Sequence, residues 1–199
     1  MSSSKPFDQI ITYINSQLAE ELSEEEKEIV KKTFRPKRLR KHQFMLVEGE
    51  VCKFAGFVVE GALKQYTVDE SGKEHILNLY IENWWAGDRE SYANGTPSPY
   101  YIEAFEETQM LVISKLDYDN ILSKQRFMND LLRTLIERNS LQLLKRVHSS
   151  KTLSAEQRLA DFESVYPEFL QRFPQHIIAS YLGMTKETFS RIRAKSARG

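Results

Sequence analysis

The sequence predicts an α+β protein: a small β-sandwich or barrel between helical segments, with two short helices near the C-terminal end. Three observations carry this. Residues 35–114 hold short runs rich in Val, Ile, Phe and Tyr, separated by turn signals, with no long helical pattern among them. Residues 127–148 repeat apolar side chains at helical spacing without a break. Residues 175–195 read as two short amphipathic helices split at Gly183.

In chain order, Phe7, Ile10, Ile11, Ile14 and Leu18 form a first apolar stripe. Ser23-Glu24-Glu25-Glu26 is a capping-box signature, and Ile29, Val30 and Phe34 extend a second helix from it. Strands are predicted at Phe54–Glu60, Leu63–Val68, His75–Tyr80 and Met110–Ile113. The turns between them carry Glu48-Gly49-Glu50, Glu60-Gly61, Asp69-Glu70-Ser71-Gly72 and Asn94-Gly95-Thr96-Pro97. A short helix over Asp117–Leu122 precedes the long one. The apolar stripe of the long helix, from Phe127 through Leu135 and Leu144 to Val147, is wider than one packing surface needs, so it can meet its own β domain and a second copy at once. Polar Ser149–Thr152 reads as a hinge, and Ser154-Ala155-Glu156-Gln157 opens a further helix that should stop near Tyr166-Pro167.

Composition narrows the function classes. Apolar residues are 41% and charged residues 28%, as in ordinary globular proteins. No run approaches the length of a membrane span, and Met1–Asp8 is too polar for a secretory leader, so a cytoplasmic location is expected. Cys52 is the only cysteine and His42, His75, His148 and His176 show no metal-ligand spacing, so no metal and no cofactor is expected. No nucleophile-base, P-loop or zinc-protease signature appears, and Glu103, Glu106 and Glu107 read as a solvated acidic edge, so no enzyme is predicted. Net charge is zero but polarised. Residues 20–28 hold six Glu against one Lys, whereas residues 171–199 hold six bases against Glu187 alone.

That basic end contains the most informative segment, Gln175 to Arg193. Ile178, Ala179 and Leu182 supply an apolar side, and Ala179 is small enough for a close helix crossing. Gly183 can take the left-handed conformation of a tight turn, Met184 can plug it, and Thr185 is a good N-cap for the next helix. With Phe189 and Ile192 turned inward, Thr185, Lys186, Glu187, Thr188, Ser190, Arg191 and Arg193 remain outside. Arg pairs with guanine, Glu accepts from cytosine, and hydroxyls, Lys and a helix N-terminus suit phosphates. These are candidate DNA-binding residues of a helix-turn-helix. A protein-docking corner is the competing reading.

Leu182-Gly-Met-Thr-Lys-Glu-Thr-Phe-Ser-Arg-Ile192 resembles the recognition segment of the Crp/Fnr superfamily of bacterial regulators. His42–Glu50 and Phe57-Val-Val-Glu-Gly61 with Leu63-Lys64 resemble strands of that family's jelly-roll-like, cyclic-nucleotide-binding-type β-roll. The resemblance covers nearly the whole chain. It implies a roll sensor over residues 1–125, a long dimerisation helix over 126–150 and a helix-turn-helix domain over 151–199. It also implies a homodimer reading a palindromic operator with recognition helices about 34 Å apart, and RNA polymerase and a small-molecule effector as further candidate partners.

Two departures are expected. In the region matching the family's phosphate cassette, Ala86 to Tyr92, Arg89 stands before Glu90 where a glycine is usual, and Tyr100-Tyr101 replace an Arg-Ser pair. A cyclic phosphate would lose its bidentate cation there, so the roll is expected to take a ligand other than cAMP. Trp85, Arg89, Glu90, Ser91, Tyr100 and Tyr101 are the candidate pocket residues, with Trp84, Tyr92 and Phe105 near them in sequence. A true cyclic-nucleotide-dependent regulator is the alternative. Second, Lys195–Gly199 leaves little or no room for a wing, so its phosphate contacts would fall to the basic tail.

Overall fold

A computed structural model describes residues 5–196. The basic tail beyond 196, with Arg198, lies outside the described residues. The chain divides into two compact units, Met1–Thr67 with Asn78–Ile136, and Val68–Leu77 with Glu137–Gly199.

The first unit starts with α1 (Lys5–Gln17) and α2 (Glu24–Thr33). The expected capping box opens α2: Ser23 Oγ accepts from the Glu26 N–H and Glu26 Oε2 accepts from the Ser23 N–H. Eight strands follow: β1 (Arg35–Leu39), β2 (Phe44–Leu46), β3 (Phe54–Glu60), β4 (Leu63–Val68), β5 (Glu74–Tyr80), β6 (Trp85–Ala86), β7 (Tyr101–Ala104) and β8 (Thr108–Ser114). They form two four-stranded sheets, β1-β8-β3-β6 and β2-β7-β4-β5. A short α3 (Arg89–Asn94) joins β6 to β7, and α4 (Lys115–Lys124) follows β8.

Strand alternation explains the layers. On β3 and β8, Val58, Met110 and Val112 face one way, into a core shared with Leu39, Leu46, Leu63, Ile102 and Ala104. Phe57, Leu111 and Ile113 face the other way, into a second core built with Ile10 and Ile14 of α1, Val30 of α2, Ile121 of α4 and Phe127, Met128 and Leu131. One sheet therefore buries both faces, against the second sheet and against helices. The β3–β4 turn needs Gly61: its φ is +106°, and a Cβ there would lie 2.5 Å from the Glu107 carbonyl oxygen.

The long helix α5 runs Arg126–Thr152, through the polar stretch expected to be a hinge. Ser150 and Thr152 explain this, because their hydroxyls donate to the Val147 and His148 carbonyls and feed the helix. The break comes at Leu153 instead, and Ser154 then caps α6 (Ala155–Val165) with the expected reciprocal Gln157 bond. Pro167 does end α6, but it also opens an unexpected short helix, α7 (Pro167–Arg172), at whose first position a missing N–H costs nothing. The unit closes with α8 (Gln175–Tyr181) and α9 (Lys186–Ser196) around buried Leu159, Phe162, Phe169, Phe173, Ile177, Ile178, Phe189 and Ile192. Among the described residues no strand follows β8.

Candidate nucleic-acid interface

The turn between α8 and α9 is built as the residues require. Gly183 has φ +67°. The Met184 N–H donates to the Ala179 carbonyl (2.9 Å) and the Gly183 N–H to the Ser180 carbonyl (3.0 Å). This pair closes the end of α8 in a Schellman arrangement. Thr185 Oγ1 then accepts from the Thr188 N–H (3.2 Å), which starts α9. Ile178, Ala179, Phe189 and Ile192 are buried at the crossing, while Leu182 and Met184 are half-buried.

The seven candidate DNA-binding residues fall into two groups. Lys186, Glu187 and Arg191 are exposed on α9. Lys186 and Arg191 make no hydrogen bond or salt bridge among the described residues. Glu187 hydrogen-bonds to its own N–H and to the Thr185 hydroxyl, which hold its carboxyl below the usual range and keep it an ionised acceptor. The other four are partly engaged within the protein. Arg193 Nη1 is 2.6 Å from Glu163 Oε1 on α6. Ser190 Oγ donates to Gln175 Oε1 (3.4 Å), Thr188 is half-buried, and Thr185 is the cap.

The six candidate pocket residues do not meet around one cavity. Trp85 packs against Phe34 and Phe57 on the helical side of its sheet (centroids 5.9 and 5.3 Å). Tyr101 pairs with Tyr66 across β7 and β4, stacks on it at 5.3 Å, and faces away from Ile102 and the roll interior. Ser91 is buried but structural: its Oγ accepts from the Cys52 N–H (2.8 Å) and donates to the Thr96 carbonyl (2.5 Å). Arg89 and Glu90 lie exposed on α3, after the Asp88 N-cap, and Tyr100 is half-buried.

Two polar clusters escaped the sequence reading. Glu103 is not part of a solvated edge: it is 6% exposed. Its carboxylate meets His42 Nδ1 (2.7 Å), the Tyr66 hydroxyl (2.9 Å) and Lys64 Nζ (3.3 Å), and the Lys64 ammonium lies over the Tyr66 ring. Burial alone would raise Glu103, but the His42 and Tyr66 bonds with the Lys64 charge outweigh it and hold the carboxyl below its usual value. On the opposite face, Gln65 Oε1 accepts from Asn78 Nδ2 (2.7 Å) and the Tyr80 hydroxyl (2.6 Å), beside the interior core. Only strand register, invisible in the local sequence, joins these residues.

Residues 36–125 match the cyclic nucleotide-binding domain family. The fumarate nitrate reduction regulatory protein of Klebsiella oxytoca is 26% identical over 171 residues, 79% of this chain and 67% of the relative. FixK2 of Bradyrhizobium japonicum shares the fold with a TM-score of 0.69 and 18% identity, over 81% of this chain and 83% of its own. A Crp/Fnr-family transcriptional regulator of Thermus thermophilus does so with a TM-score of 0.64 and 18% identity, over 82% and 86%. The chain is similar to Crp/Fnr regulators over most of its length, and its roll is of the cyclic nucleotide-binding type. The matched part is the roll with α4, and the match stops at Gln125, the residue before α5.

Proposed function

We propose that this Crp/Fnr-like protein is a dimeric, sequence-specific DNA-binding transcription regulator in which α9 is the recognition helix. The observation that carries the reading is the α8–Gly183–α9 corner with Lys186, Glu187 and Arg191 exposed together on α9, the two bases without a hydrogen bond or salt bridge among the described residues. Arg191 and Glu187 then read base edges, and Lys186 and the start of α9 take phosphates. Thr185, Thr188 and Ser190 support the helix and lend hydroxyls, and Arg193 braces α9 against α6 through Glu163. A helix that only docked protein would have no need of unpaired bases at both Lys186 and Arg191.

The domain scheme follows the same reading: a roll sensor, the long helix as dimer seam, and the helical C-terminal segment as reader. Leu141, Leu143, Leu144 and Val147 leave 44 to 65% of their surface in water, which supports a seam closed by a second copy. The effector of this reading is a small molecule other than cAMP: Tyr101 turns from the roll interior, and the polar groups beside that interior, Gln65, Asn78 and Tyr80, are uncharged and bonded to one another, so nothing among them supplies a cation to a cyclic phosphate. Selection of bound sites from a random duplex pool tests the central proposal. An enriched palindrome with half-sites about one helical turn apart, relaxed by Arg191→Ala, is the expected result.

A further inference from the structure

The tip of the β4–β5 hairpin, Val68–Leu77, belongs to the second unit together with α8 and α9. Ser180 on α8 is one point of attachment. Its Oγ accepts from the Ile76 N–H (3.0 Å) and donates to the Glu74 carbonyl (3.4 Å). β5 is the end strand of its sheet. An end strand leaves alternate N–H and C=O groups without a strand partner, and Ser180 occupies such a pair. The second point is Arg146 of α5, whose Nη1 donates to the Leu77 carbonyl (2.8 Å) while its guanidinium lies 5.0 Å over the Tyr181 ring.

The tip itself is tightly ordered around Asp69. Asp69 Oδ1 accepts from the Ser71 N–H, the Ser71 hydroxyl and the Lys73 N–H, and its Oδ2 meets His75 Nε2 at 2.7 Å. The tip carries Asp69, Glu70 and Glu74 against Lys73. Lys73 is near enough to Glu187, at the start of α9, to help lower its carboxyl. A hairpin that served as a wing would bring bases to phosphates. This one is joined to α8 through the backbone of Glu74 and Ile76 and, beside Lys73, carries Asp69, Glu70 and Glu74, whose charge has the sign of a polyanion.

We infer that the hairpin tip is an autoinhibitory latch: held on α8 by Ser180, it weakens DNA binding until it is released. The inference rests on α8–α9 being a DNA-binding pair. The test compares wild type, Ser180→Ala and Glu70→Lys in the full chain for binding to a labelled mixed-sequence duplex three helical turns long, with amide exchange at Ile76 as a second readout. Ser180→Ala should bind about three- to tenfold tighter, the worth of one or two hydrogen bonds, and should speed exchange at Ile76. Glu70→Lys should also bind tighter, with a gain that shrinks as salt rises, and should leave Ile76 unchanged. Unchanged or weaker binding by Ser180→Ala overturns the latch, as does an Ile76 amide indifferent to the substitution. If wild type and both variants all fail to bind, the DNA-binding reading falls and takes the latch with it; equal binding by all three removes the latch alone.

Discussion

Arg191 and Arg193 stand two positions apart on α9, yet the proposed recognition helix leaves only one of them without an ion-pair partner among the described residues. Arg191 makes no hydrogen bond or salt bridge among the described residues, whereas Arg193 is held 2.6 Å from Glu163. Arg191→Ala should cost about 1–3 kcal/mol of discrimination at one base pair of the half-site, and Arg193→Ala should leave base preference unchanged. Parallel site selections with the two variants check this. At the roll, Glu103→Ala would remove the acceptor shared by His42, the Tyr66 hydroxyl and Lys64 and should lower stability by about 1–3 kcal/mol, read as a drop in melting temperature. Because the folded Glu103 carboxyl sits below its ordinary value of 4.5, its contribution is fully present above that value. It is lost as pH falls through the lower, folded one. Glu103→Gln should therefore flatten the acid limb of the stability curve below pH 4.5, which melting curves at stepped pH measure. The sequence showed Arg193 among exposed bases and Glu103 among exposed acids because type and spacing carry no information about a partner 30 or 61 residues away.

Elements were easier to read where the pattern is local. Both capping boxes, the Gly183 turn and the stripe of α1 follow from neighbours within one or two helical turns. The extension of α5 past Ser149 did not, because serine and threonine are weak helix formers until their hydroxyls find the carbonyls of the preceding turn. β1 was missed for a different reason: Arg35, Lys37 and Arg38 hide its alternation, and its pairing with β8 fixes it. On α5, burying a leucine or valine side chain fully is worth about 1.5–3 kcal/mol, and the proposed seam gathers Leu141, Leu143, Leu144 and Val147. The double substitution Leu141→Lys with Leu144→Lys should give a folded monomer by sedimentation, with the circular dichroism of the helices retained.

For the whole molecule, a net charge of zero sets no limit on DNA binding, because counterions are released only where bases meet phosphates. If each protomer of a dimer contacts about three phosphates, log affinity should fall with log salt at a slope of about −5. Anisotropy titrations over a salt series read that slope directly, and a flat response would contradict it. cAMP should leave the melting temperature of the protein unchanged. The roll, long helix and paired C-terminal helices were legible because each has its own periodicity. The allocation of Val68–Leu77 to the second unit was not, since nothing in those ten residues announces a partner in α8. That allocation also orders events on the ribosome. The hairpin leaves the exit tunnel first and must wait for Ser180, 104 residues behind Ile76, which at usual translation speeds is about 5–20 s. A fragment begun at residue 137 would never meet its hairpin at all. Cutting the gene at the boundary where α5 changes units would thus yield α8 and α9 without their hairpin, and the latch predicts that this fragment grips DNA tighter than the parent.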